Sequence, residues 1–152
     1  MKRPDFMALA LAEAEAAAER GEVPVGAVVV ADGQVVSSAG NRTRELADPT
    51  AHAEILAIRE AAAQLSAERL TDADIYVTLE PCTMCAGAIS FARLRRLYYG
   101  ADDEKGGAVR NGVRFFSSPT CHHAPDVYSG MAEAEAAALL KNFFQDRRSQ
   151  RP

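Results

Sequence analysis

The run Val25-Gly26-Ala27-Val28-Val29-Val30 contains no polar residue and is rich in β-branched side chains. A strand with one wet face alternates apolar and polar residues, whereas an uninterrupted apolar run needs protein on both faces. The run therefore predicts a strand inside a sheet that is sandwiched between helices. Asp32-Gly33 follows it, the residue pair that a two-residue type I′ turn requires, so residues 34–39 are expected to return as an antiparallel mate. Further segments at Ile75-Tyr76-Val77-Thr78-Leu79, at 94–100 and at Val127-Tyr128 predict three more strands. Helical spacing predicts helices over residues 5 to about 20, 51 to about 65, 83–91 and 131–148. In the first, Phe6, Leu9, Ala10 and Ala17 share a face; in the second, Ile55, Leu56, Ile58, Ala62 and Leu65; in the last, Ala136, Leu139, Leu140, Phe143 and Phe144. Alternation of strand and helix defines an α/β chain with parallel pairing beyond the first hairpin. The stretch from 105 to 125, rich in Gly, Ser and Pro, is expected to be an irregular connection with one helical turn at most.

At 152 residues, 48% hydrophobic and 25% charged, the sequence fits a single domain spanning 1–152. Met1-Lys2-Arg3 resembles the start of a signal peptide, but Glu13, Glu15 and Glu19 interrupt the alanine-rich stretch that follows, and no apolar run reaches membrane-spanning length. A cytoplasmic protein is the expectation, with no membrane partner. Three cysteines, two of them in a Cys-x-x-Cys, point to metal or redox chemistry and not to a disulfide framework. The net charge of -4 supplies no general basic footprint for nucleic acid. Basic residues nevertheless gather from mid-chain onward, at Arg93, Arg95, Arg96, Lys105, Arg110, Arg114, Arg147, Arg148 and Arg151.

The chemistry resides in two short segments, His52-Ala53-Glu54 and Pro81-Cys82-Thr83-Met84-Cys85, each at a predicted helix start. Alone, the histidine reads equally as a cap and the cysteines as a redox pair. Together, one imidazole and two thiolates supply three ligands of a tetrahedral Zn2+ and leave one position open for water, which distinguishes a catalytic zinc from a structural one. His-x-Glu followed by Pro-Cys-x-x-Cys is the known signature of zinc-dependent nucleobase deaminases. Zinc lowers the pKa of bound water to about 7. Glu54, too near His52 in sequence to serve as a fourth ligand, is placed to carry that water's proton as general base and acid.

The stretches 22–28, Asn41-Arg42, 48–54, 76–88, Tyr99-Gly100-Ala101-Asp102, Lys105, Gly107-Ala108 and 139–144 followed by Arg147-Arg148 resemble the bacterial tRNA-specific adenosine deaminases over almost the whole chain. That resemblance implies a three-layer α/β/α cytidine-deaminase-like fold around a five-stranded mixed sheet, a homodimer with one Zn2+ per subunit, and conversion of adenosine to inosine at the first anticodon position. It also implies that Asn41 binds the target base and that Lys105, Phe144, Arg147 and Arg148 contact the anticodon stem-loop. The sequence departs from the family pattern at Val109-Arg110-Asn111-Gly112 and at Cys121-His122-His123. A deaminase of free guanine or cytosine, and a non-catalytic zinc-stabilised RNA-binding module, are the alternative readings.

Overall fold

The computed structural model describes residues 5–149; Met1, Lys2, Arg3 and Arg151, named above, lie outside them. Its elements in chain order are α1 (Phe6–Glu19), β1 (Gly26–Ala31), β2 (Gln34–Gly40), α2 (Ala53–Leu65), β3 (Ala73–Leu79), α3 (Thr83–Phe91), β4 (Arg96–Ala101), a single 3-10 turn at Phe115–Ser117, β5 (Asp126–Tyr128) and α4 (Glu133–Ser149). The strands form one mixed sheet in the order β2-β1-β3-β4-β5. Both pairings of β1 are antiparallel, while β3, β4 and β5 run parallel. Antiparallel pairing thus extends one strand beyond the expected hairpin, because α2 carries the chain from β2 over β1 to β3.

Asp32 and Gly33 both take positive φ, +53° and +72°, the geometry that a type I′ turn demands. β1 is buried on both faces, as its sequence predicts. Ala27 and Val29 join Ile75, Val77, Leu97 and Tyr99 in a core beneath α2 and α3. Val28 and Val30 enter a second core with Met7 and Ala10 of α1, backed by Tyr76 and Tyr98. Helices therefore cover both faces, α2 with α3 on one and α1 with α4 on the other.

The helices dock through small residues. Ala10, Ala14 and Ala17 of α1 and Ala53, Ala57 and Ala61 of α2 have no exposed surface, while Leu9 and Leu65, expected on the buried faces, are 44% exposed. Alanine stripes let helix and sheet backbones approach closely. At Gly26 the approach is so close that a Cβ would lie 1.9 Å from the Ala10 carbonyl oxygen. The closing helix likewise departs from expectation: Ala136 is buried and Phe143 half-buried, but Phe144 is 44% exposed.

This topology gathers several chain segments at one edge of the sheet. The carboxyl ends of β2, β3 and β4 and the amino end of β1 all lie there, because β1 runs antiparallel to both its neighbours. Ligands of open α/β sheets bind at the carboxyl ends of parallel strands, where successive loops diverge.

Candidate active site

His52 and Cys82 are the N-cap residues of α2 and α3, both with extended backbone and neither making a side-chain capping bond. The entry to α2 is set by a local turn, in which Asp48 accepts hydrogen bonds from the Thr50 backbone N–H (2.9 Å) and hydroxyl (2.7 Å). Pro49 sits within that turn, and the chain leaves it extended, so α2 starts at Ala53 instead of Ala51. An N-cap side chain ordinarily satisfies its own helix, a contribution of about 1 kcal/mol. Here the two side chains turn toward each other instead.

The imidazole Nδ1 of His52 lies 3.7 Å from Cys82 Sγ and 3.5 Å from Cys85 Sγ. A tetrahedral zinc with bonds of about 2.0–2.3 Å would separate its ligand atoms by roughly 3.5–3.8 Å. The donor set and its spacing therefore fit a tetrahedral metal ion. Among the described residues this is the only group of three or more His, Cys, Asp or Glu side chains close enough to hold an ion. Electrostatics favour the same use: the Cys85 thiol donates to Cys82 and draws the Cys82 sulfur down to about 4, as a thiolate beside a helix N-terminus. The same contact pushes the Cys85 thiol up, and hydrogen bonding to Cys82 raises the His52 imidazole.

Glu54, in the first turn of α2, is 4% exposed and lines the same cleft as His52 and Cys82. Burial raises its carboxyl above the ordinary carboxylate range. The cleft encloses about 280 Å³, walled by Val23, Val25 and Leu79 with Asn41 and Asp103 at its polar edges. Asn41 is fixed through its backbone: its N–H donates to the Val25 carbonyl (3.1 Å), and its own carbonyl accepts from the Arg20 guanidinium (3.3 Å).

The remaining expected contacts line grooves that adjoin the cleft. Lys105, Phe144 and Arg148 line one of about 770 Å³, which shares Val23, Leu79, Asp103 and Gly106 with the cleft. Arg147 lies between Gly21, whose carbonyl accepts from its guanidinium, and the ring of Phe143, 4.8 Å away. It thus ties α4 to the end of α1. Arg95 and Arg96 are turned to Asp74, Arg95 through two bonds of 3.0 Å. Cys121 donates to the His123 carbonyl (3.1 Å) and His123 Nε2 to the Leu94 carbonyl (2.8 Å), so this departure from the family pattern is a packed corner away from the metal ligands.

Sequence reasoning missed two buried carboxylates beside the cleft. Glu22 accepts from the backbone of Arg44 and Glu45, and Glu80 from the segment 103–111. Each stands one or two residues before a proline, Pro24 or Pro81, but its donors lie 22–31 residues away, so no local pattern marks it.

Residues 1–148 match the family model of MafB19-like deaminases. The tRNA-specific adenosine deaminase of Agrobacterium fabrum is 68% identical over 147 residues, covering 97% of each chain. A solved structure from a study of A-to-I editing by tRNA:A34 deaminases at the wobble position superposes with a TM-score of 0.88 at 71% identity, over 89% of this chain and 98% of that one. The guanine deaminase of Bacillus subtilis is more distant, with a TM-score of 0.66 and 30% identity over 99% of this chain and 96% of its own. With the site geometry and near full-length identity in agreement, the chain belongs to the MafB19-like deaminases and, within them, to the family of tRNA-specific adenosine deaminases.

Proposed function

We propose that this protein hydrolyses adenosine to inosine at the first, wobble position of a tRNA anticodon, with Zn2+ held by His52, Cys82 and Cys85 and with Glu54 as the proton carrier. The observation that carries the mechanism is the buried Glu54 carboxyl group in the same small cleft as His52 and Cys82, two of the three residues that could hold the metal. When bound there, zinc would activate the attacking water and leave the protein's own groups to manage protons and position.

Deamination adds water across the bond between the carbon bearing the exocyclic amine and its ring nitrogen, and then expels ammonia. Glu54 takes a proton from the water and passes it to that ring nitrogen; it then takes the proton of the hydroxyl newly bound to the carbon and delivers it to the leaving amine as the carbonyl forms and the bond to the amine breaks. A carboxyl whose affinity for protons is raised by burial is suited to both steps. Val23, Val25 and Leu79 would exclude bulk water from the base, and Asn41, which lines the same cleft, would hydrogen-bond its polar edge. A base must leave its stack to enter such a cleft, which a single-stranded anticodon loop allows at low cost. Lys105 and Arg148 would hold the flanking phosphates and Phe144 would stack on a loop base. Arg147 adds its charge to this rim from the position fixed by Gly21 and Phe143. We further infer a cytoplasmic homodimer with one zinc per subunit.

The test is deamination of an anticodon stem-loop carrying adenosine at the wobble position, alongside free guanine, cytosine, adenine and their nucleosides. Inosine formed only at that position supports the assignment. Ammonia from a free base with an untouched stem-loop overturns the substrate and favours the guanine-deaminase reading. A protein that binds the stem-loop but releases no ammonia from any substrate is the non-catalytic module.

A further inference from the structure

We propose that Glu80 is a positioning residue that sets the outer wall of the cleft, and so determines how tightly the RNA strand is held without taking part in proton transfer. The inference rests on the tRNA reading above and deepens it. Glu80 follows β3, is 1% exposed, and precedes the ligand Cys82 by two residues. Its carboxylate gathers a distant loop. Oε2 accepts from three consecutive backbone N–H groups, Val109 (3.0 Å), Arg110 (2.9 Å) and Asn111 (3.0 Å). Oε1 accepts from the Asp103 N–H (3.0 Å) and from the Asn111 carboxamide (2.7 Å). No ion pair to Glu80 occurs among the described residues, so backbone donors solvate the carboxylate in place of water.

The loop so held is the wall that the cleft and the groove share. Asp103 and Gly106 face the cleft, and Asp102, Asp103, Glu104, Lys105 and Gly106 face the groove that leads to Phe144 and Arg148. The Ala108 N–H also donates to the Pro81 carbonyl (2.9 Å), and at Gly107 a Cβ would lie 2.5 Å from the Glu80 carboxyl carbon. One side chain therefore links the strand that ends at the metal ligands to the surface that meets the RNA. The sequence departure at Val109-Arg110-Asn111-Gly112 falls on its donors.

A glutamine at this position cannot satisfy all five donors. If its oxygen faces the three consecutive N–H groups, its NH2 opposes the Asp103 N–H; turned the other way, it opposes all three. Glu80→Gln should raise KM for the wobble-adenosine stem-loop by about tenfold, the scale of a lost buried acceptor, with kcat within about threefold and full metal content. Asn111→Ala, which removes one donor and leaves the Cys82 segment untouched, should raise KM by about threefold. A fall in kcat at unchanged KM, or metal loss in a folded Glu80→Gln protein, overturns the proposal. If Glu80→Gln fails to fold, Asn111→Ala decides: a raised KM supports the role and an unchanged KM overturns it. A wild-type protein inactive on the stem-loop is a separate failure, of the tRNA reading itself, and takes this RNA-holding role with it.

Discussion

Replacing Glu54 by Gln should drive activity and stability in opposite directions. The side chain is 4% exposed, and glutamine has nearly the same shape, so the substitution opens no cavity and leaves His52, Cys82 and Cys85 in place. What disappears is the ability to take up and release a proton. Loss of a general acid and base costs about 10²- to 10⁴-fold in rate, or roughly 2.7–5.4 kcal/mol of barrier at 1.36 kcal/mol per factor of ten. Stability follows from the same burial. Because burial raises the carboxyl pKa in the folded state, the stability it contributes is present when the group is protonated and is lost as pH rises through the folded-state value. Glutamine is always neutral and escapes that loss. The chelated Glu54→Gln protein should therefore melt above the chelated wild type near pH ~7, with the gap narrowing toward pH ~4. Single-turnover inosine formation with enzyme in excess, metal content of the same samples, and melting curves at the two pH values make the measurement. A folded, fully metal-loaded variant that retains more than a tenth of wild-type activity would refute the assignment of Glu54 as proton carrier.

Other consequences of the geometry are open to simpler tests. Cys85→Ala removes one of three ligands from a cluster whose atoms lie within 4.8 Å; metal analysis should show a protein without stoichiometric zinc and without activity, and a stoichiometric metal-loaded variant would contradict the ligand assignment. Arg148→Ala should weaken stem-loop binding and lower the slope of log K against log salt by about 0.7 for the loss of one single-strand phosphate contact, with no change in melting temperature. Arg147→Ala differs, because its guanidinium binds Gly21 and covers Phe143; it should lower the melting temperature as well as binding, and equal behaviour of the two variants would show that this distinction is wrong. Gly26→Ala pushes a Cβ to 1.9 Å from the Ala10 carbonyl oxygen and 2.7 Å from the Ala14 nitrogen, both backbone atoms that cannot rotate away. Overpacking of this kind costs about 3 kcal/mol, a fall of roughly 10 °C in melting temperature at this chain length, and a change under ~2 °C would refute the close approach of α1 to the sheet.

By itself the sequence determined the elements and the residues that meet in the candidate site. Local rules suffice for both: β1 is apolar throughout and lies between two cores, Asp32-Gly33 makes the turn, and the helix starts at Pro49-Thr50 and Pro81 place His52, Glu54 and Cys82 within a residue or two of where they stand. That His52, Cys82 and Cys85 would converge was legible because coordination chemistry restricts which residue types can meet, and His-x-Glu with Cys-x-x-Cys leaves few other uses. The buried face of each helix was legible only in part: Ala10 and Ala17 of α1 and Ala136 of α4 are buried as expected, whereas the face of α2 that meets the sheet, Ala53, Ala57 and Ala61, was not foreseen. Hydrophobic spacing favoured Leu9 and Leu65, yet the sheet received alanines, because close backbone approach rewards small volume as much as apolar character. The antiparallel pairing of β1 with β3 was equally hidden, since strand neighbours depend on where a crossover helix lands. Tertiary structure alone decided the use of Glu22 and Glu80, whose donors lie 22–31 residues away along the chain. It alone showed that Arg147 binds Gly21 across 126 residues while Arg148 lines the groove. A carboxylate that accepts from a distant backbone N–H, or a guanidinium that donates to a distant carbonyl, leaves no pattern in the sequence, because every residue type but proline carries the same backbone groups; only the folded chain reveals which acids and bases are engaged and which are left to meet a substrate.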